Sequence, residues 1–168
     1  NEGPWVPAAI EKGCIHAMRA PIRVLVAGTG QMGSAIARGV LSKQGLHLAG
    51  AYGRRRERVG IDIGRAIGLA QDLGEVVITD LEAAIAQARP DVAIQATCSR
   101  LADAWDEIVT LVRAGVPVIS IAEEMAYPAA RSKLLADELD QLALEHGVAI
   151  LGTGINPGFV LDLLVIVL

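Results

Sequence analysis

The stretch IRVLVAGTGQMG, Ile22 to Gly33, decides the fold of this chain. Its first half is a continuous apolar run, the pattern of a central strand buried on both faces of a parallel sheet. Its second half sets Gly28, Gly30 and Gly33 in GxGxxG spacing. QMGSAIARGVLSK (31–43) then continues with helical spacing of Met32, Ile36 and Val40. Strand, glycine turn and helix in that order predict a loop that cradles a pyrophosphate. Gly28 permits the tight turn, Gly30 lets the backbone approach the phosphates, and Gly33 lets the helix pack closely on the strand, with its amide-rich start facing the anion. The spacing alone is weak; the strand before it and the helix and second strand after it give it weight.

Outward from this unit, strands and helices alternate. LHLAGAY (46–52), EVVITD (75–80), DVAIQAT (91–97), VPVISIA (116–122) and VAIL (148–151) read as strands. Residues 62–68, 81–89, 101–115 and 130–147 read as helices. Asp80 is placed to cap the helix at 81 and Ser99 the one at 101, while Pro90 and Gly115 mark stops. In the long helix at 130–147, Leu134, Leu135, Leu139 and Leu142 form the expected apolar face, and Asp137, Glu138 and Asp140 a solvated one. Such alternation requires crossover connections and predicts an α/β fold, a Rossmann-type doubly wound parallel sheet that binds NAD(P). Ligands of such sheets bind outside the carboxyl ends of the strands, so the loops after each strand carry the chemistry.

Composition narrows the class. The 168 residues make room for one compact domain; 52% are hydrophobic and 20% charged, a globular balance. A net charge of −4 gives no reason to expect a nucleic-acid partner. Cys14 and Cys98 are the only cysteines and lie in no CxxC motif, and His16, His47 and His146 are scattered. No disulfide framework and no metal site is expected, which suits a cytoplasmic protein. His146 precedes Gly147 at an apparent helix end, where it meets the negative end of the dipole. The longest apolar run, in FVLDLLVIVL, is too short for a membrane span and carries Asp162.

The ends are read separately. Residues 1–17 have no clear period, whereas Met18 begins MRAPIRVLVAGTG like a natural start. We therefore expect 1–17 outside the fold as upstream or appended sequence, 18–155 as the dinucleotide-binding domain, and 156–168 as the start of a second domain. The concentration of Gly and Pro in GTGINPGFVLD (152–162) reads as that crossing.

AYGRRRERVG (51–60) follows the second strand. An acid is usual there, about 20 residues beyond the glycine loop, accepting bonds from the adenine ribose hydroxyls. Here Gly53 stands at that position, followed by Arg54, Arg55 and Arg56. An acid would repel a 2′-phosphate, whereas guanidinium groups bind one bidentately. A solvated charge run has no need to omit the acid. The expected cofactor is NADP(H), with NAD(H) possible, and Arg54 and Arg55 are favoured over Arg56 as phosphate contacts.

Two further loops stand out. TCSR (97–100), after the fourth strand, either lines the dinucleotide path or caps the next helix through Ser99. AEEMAYP (122–128) puts Glu123 and Glu124 after a central strand. A carboxylate beside a nicotinamide can stabilise an iminium ion or act as a base on an amine; the structural alternatives are a helix-start cap and an exposed pair.

With VAGTGQMGSAIARGVLSKQG, ERVGIDIG, QATCS, VISIAEEMAYP and ELDQLALEHGVAILGTGINPGFVLD assembled, the chain resembles the 2,4-diaminopentanoate dehydrogenases and native amine dehydrogenases. Their amino-terminal domain is similar to that of dihydrodipicolinate reductase. The resemblance implies NAD(P)-dependent oxidative deamination of an amine, or reductive amination of a ketone with ammonia. It carries one catalytic role onto Glu123, with Glu124 as the alternative. It also implies dinucleotide contacts from Gly28, Thr29, Gly30, Gln31, Met32 and Gly33, from Ala96, Thr97 and Cys98, and from Asn156 and Pro157 beside the nicotinamide. Family members continue into a second domain that forms the substrate pocket and a homodimer interface, so the sequence is expected to be truncated. An imine reductase of the dihydrodipicolinate reductase kind is the enzymatic alternative, although its histidine-rich, lysine-bearing motif is not visible. A dinucleotide-binding module without chemistry is the alternative from another class.

Overall fold

The computed structural model describes residues 20–167, so the expectation for 1–17 lies outside the described residues. Six strands form one parallel sheet: β1 (Ile22–Ala27), β2 (Leu46–Tyr52), β3 (Val77–Ile78), β4 (Val92–Gln95), β5 (Val118–Ser120) and β6 (Ile150–Gly152), in the order β3-β2-β1-β4-β5-β6. β1 pairs with β2 from Ile22 opposite Leu46 to Ala27 opposite Tyr52, and with β4 from Val24 opposite Val92. The doubly wound sheet expected from the sequence is the fold observed.

The apolar run at β1 is buried on both faces, as a central strand must be. Val24 and Val26 point into a core shared with Ala37 and Val40 of α1 (Gln31–Leu41) and with Ile63 of α2 (Ile63–Ala66). Leu25 and Ala27 point the other way, into a core with α3 (Leu81–Ala88), α4 (Leu101–Arg113) and α5 (Lys133–His146). Each buried Leu, Ile or Val contributes about 1.5–3 kcal/mol. The two-sided packing therefore fixes β1 at the centre of the sheet.

Local signals set the helix limits. Asp80 Oδ1 accepts the amide of Ala83 at 3.0 Å, as expected, and Ser132 Oγ accepts that of Leu135 at 3.3 Å. Gly147, at φ 65°, closes α5 in the left-handed region. Because Ser132 is the cap, α5 starts at Lys133, later than expected, and Pro128–Ala130 forms a separate 3₁₀ turn. The expected leucine face is also corrected. Leu139 and Ala143 are buried and Leu135 and Leu142 half-buried, but Leu134 is 76% exposed. One residue of helix rotates a side chain by about 100°, and Leu135 already holds the inward position that Leu139 and Leu142 continue.

Between β2 and β3 the chain makes an excursion organised by Asp62. Its Oδ1 accepts the amides of Gly64 (2.7 Å) and Leu73 (2.9 Å), and Oδ2 that of Gly74 (2.8 Å). These amides, Leu73 foremost, hold the Asp62 carboxyl below its ordinary pKa. After β6, residues Ile155–Leu163 form a helical stretch with wide π-type turns that passes into α6 (Leu164–Val167). Phe159, Val165, Ile166 and Val167 are exposed on it.

Candidate dinucleotide-binding site

In the strand order 3-2-1-4-5-6 the connections leave β1 in opposite directions on its two sides, which opens a crevice at the carboxyl ends of β1 and β4. An open cleft of about 760 Å³ lies there. It is lined by Gly30, Gln31, Met32, Ala35 and Ile36 after β1, by Ala96, Thr97, Cys98 and Ser99 after β4, by Ile121 and Glu123 after β5, and by Gly154 and Ile155 after β6. Loops far apart in sequence thus meet in one cleft, and Arg54, Arg55 and Arg56 of the loop after β2 are not among its lining.

The three glycines divide by what surrounds them. A Cβ on Gly28 (φ 127°) would stand 2.5 Å from the carbonyl oxygen of Ala96, and one on Gly33 would stand 1.8 Å from that of Gly28. Both are required by the fold. At Gly30 a Cβ would meet nothing within 4 Å, so the protein itself leaves that side open. The first turn of α1 carries no acid, and its N-cap is Gly30, which offers no side chain to the free amides. An anion fits this cradle sterically and electrostatically.

The loop after β2 is built in two parts. Arg54 turns toward α4: its Nε donates to Glu107 Oε1 at 2.7 Å and its Nη2 to the carbonyl oxygen of Asp103 at 2.6 Å. The hydrogen bond to Glu107 is the main cause that raises the Arg54 pKa further. Burial, followed by the neighbouring Glu107, raises that of Tyr52. Arg55 and Arg56 are exposed, and among the described residues their guanidinium groups have no hydrogen-bond or ion-pair partner. Arg58 is a residue that the sequence reading missed. Its Nη1 donates to the carbonyl oxygens of Thr29 and Ala66, so it braces the glycine loop from below. The signal was there, since the run RRRER does not end at Arg56.

The two glutamates separate clearly. Glu123 is exposed at the cleft. Glu124 is committed elsewhere: Oε2 accepts the amide of Leu101 at 2.9 Å, and Oε1 pairs with Arg131 Nε at 2.9 Å. It caps α4 from a neighbouring loop. The cap expected of Ser99 is not made, because Arg100 occupies the N-cap position and offers no side-chain bond. Asn156 and Pro157 belong by backbone to the wide helical stretch, and their side chains lie outside the described residues. Among the described residues, no group of three or more His, Cys, Asp or Glu is placed to hold a metal ion, and no helix is long and apolar enough to cross a membrane.

A sequence model of the dihydrodipicolinate reductase amino-terminus matches residues 22–120. The chain belongs to this dihydrodipicolinate reductase amino-terminal family. It is 40% identical over 148 residues to 2,4-diaminopentanoate dehydrogenase of Acetoanaerobium sticklandii, a match spanning 88% of this chain and 42% of that protein. It is 41% identical over 86 residues to 4-hydroxy-tetrahydrodipicolinate reductase of Moorella thermoacetica, which spans 51% of this chain and 31% of that one. Among solved structures, the amine dehydrogenase of Mycobacterium smegmatis superposes with a TM-score of 0.74 at 38% identity, over 79% of this chain and 39% of that chain. The chain thus spans less than half the length of the curated relatives it matches.

Proposed function

We propose that this chain is the cofactor-binding part of an NADP(H)-dependent amine dehydrogenase, which converts an amine to a ketone and ammonia or runs the reverse reductive amination. The observation that carries the reading is the meeting of Glu123 with the glycine loop in one cleft. Support also comes from the 40% identity to a 2,4-diaminopentanoate dehydrogenase.

In this reading the backbone of Gly28 to Gly33 and the start of α1 hold the pyrophosphate, and Thr97 and Cys98 line the path toward the nicotinamide. Arg55 and Arg56, with the outward donors of Arg54, take the 2′-phosphate. A nicotinamide cofactor held there would supply the hydride chemistry between the amine-bearing carbon and the C=N bond. Glu123 takes the proton that leaves the substrate ammonium and passes it to solvent, and as a carboxylate again it stabilises the charge of the cationic imine. Water added to that imine releases ketone and ammonia. In the reverse direction the same carboxylate holds ammonia for attack on the ketone. The test is to follow NADP⁺ reduction at 340 nm by the intact gene product with a panel of amines, 2,4-diaminopentanoate included. No reduction with any amine, in a protein that binds NADPH, would remove the reading.

A second reading, an imine reductase, rests on the match to 4-hydroxy-tetrahydrodipicolinate reductase over 86 residues. It predicts NADPH oxidation with a cyclic imine and no dependence on ammonia.

A further inference from the structure

Glu107 occupies a core position. On α4 the buried side chains are Leu101, Ala104, Glu107, Ile108, Leu111 and Val112, and Glu107 is only 5% exposed. A carboxylate among aliphatic side chains is expensive, and a buried ion pair seldom adds stability over apolar residues of similar size. Stability alone therefore does not account for it, and what it contacts becomes informative.

Every polar group that reaches Glu107 donates to it. Arg54 Nε donates to Oε1 at 2.7 Å, the Thr97 hydroxyl donates to Oε2, and Gln95 Nε2 lies 3.4 Å from Oε2. Gln95, fully buried, also donates to Thr97 Oγ1 at 2.7 Å and accepts from Ser120 Oγ at 2.6 Å through its own Oε1. Ser120 Oγ in turn accepts the amide of Ala122 at 3.2 Å, one residue before Glu123. The chain of bonds runs beneath the cleft from the loop after β2 to the loop after β5. Among the described residues, no buried side-chain polar atom is left without a partner.

We propose that Glu107 is a positioning residue for cofactor choice: from inside α4 it fixes the guanidinium of Arg54 so that its remaining donors face the adenosine end of the cleft. This rests on the NADP(H) reading above. Arg54 Nε is used by Glu107 and Nη2 by the Asp103 carbonyl and, at 3.8 Å, by Cys98 Sγ, and its side chain is 43% exposed. Arg54 thus enters the site already ordered and charge-compensated. It contributes directed hydrogen bonds, while Arg55 and Arg56 contribute net charge. Thr97 both holds Glu107 and lines the cleft, so the setting of Arg54 is tied to the path of the dinucleotide.

The test titrates NADPH and NADH into the protein by nicotinamide fluorescence, for the wild type, Glu107→Gln, Arg54→Gln and the double variant. We expect Glu107→Gln to lower the ratio of the NADH Kd to the NADPH Kd by about tenfold while NADH binding stays within about twofold. Arg54→Gln should do the same, and the double variant should fall no further, because one residue acts through the other. Should Glu107→Gln not fold, Glu107→Asp, which keeps the charge but withdraws it by one methylene, carries the same ratio test. A variant with an unchanged ratio, an equal loss for both cofactors, or an additive double variant would overturn the positioning role. A wild-type ratio near one would instead overturn the NADP(H) reading and this role with it.

Discussion

A Cβ placed on Gly53 would stand 2.8 Å from Thr29 Oγ1 and 3.3 Å from Val77 Cγ1. The position where an acid is usual is therefore closed by the second residue of the glycine loop, itself buried. Gly53 and Thr29 are matched, so an acid at position 53 needs a change at position 29 as well. Gly53→Asp by itself should cost about 1–3 kcal/mol of stability through overpacking and weaken both cofactors. Gly53→Asp with Thr29→Ala makes room for the carboxylate. It should swing the NADH/NADPH Kd ratio toward NADH by about tenfold or more. The paired titrations check this, and a single variant that switches preference without loss of melting temperature would contradict the steric coupling.

The glycines of the loop make a sharper contrast. Gly33→Ala places a methyl 1.8 Å from the carbonyl oxygen of Gly28, and α1 can avoid it only by lifting off β1. A severe loss of melting temperature is expected. Gly30→Ala meets no protein atom within 4 Å, so the fold should hold while dinucleotide affinity drops about tenfold or more. Thermal melts and NADPH titration together separate the two. Equal effects of both variants on stability would mean that Gly30, too, is there for the fold.

Asp62 gives the excursion between β2 and β3 a pH dependence of known sign. Its folded carboxyl titrates below the unfolded value of about 3.9, because the amides of Leu73, Gly74 and Gly64 favour the charged form. The stabilisation is therefore complete above the unfolded pKa and disappears as pH falls through the lower, folded one. Wild type and Asp62→Ala should differ in melting temperature at pH 7 and converge toward pH 2–3. A difference that stays constant to the acid limit would assign the loss to packing instead.

The sheet was legible because its signals are local. The run at β1 matches the observed strand at both ends, as does LHLAGAY at β2, and the glycine spacing located the cleft. What the sequence concealed depends on contacts between distant segments. Glu107 reads as one more acid in LADAWDEIVTLVR until α4 turns it inward toward Arg54, 53 positions earlier. Glu124 likewise reads as the twin of Glu123, and only the arrival of α4 and Arg131 at its two oxygens separates them. Leu134 fails for a simpler reason: LLADEL offers two leucines for one inward position, and the cap at Ser132 sets which is used.

That separation of the glutamates yields opposite expectations for two adjacent substitutions. Glu124 accepts the amide of Leu101 and pairs with an exposed Arg131, so its work is to start α4. Glu124→Ala should cost about 1 kcal/mol, most of it from the lost cap, since an exposed pair adds little. Binding of NADPH should change only modestly. The Glu123 carboxylate is exposed at the cleft and has no hydrogen-bond partner among the described residues, so Glu123→Gln should leave both melting temperature and NADPH affinity near wild type. In the intact gene product the same change should lower amine oxidation by about a hundredfold or more, as loss of a base and of charge stabilisation requires. Melting, NADPH titration and steady-state amine turnover on the two variants decide it. Full turnover in Glu123→Gln alongside a stable, inactive Glu124→Gln would exchange the roles of the pair.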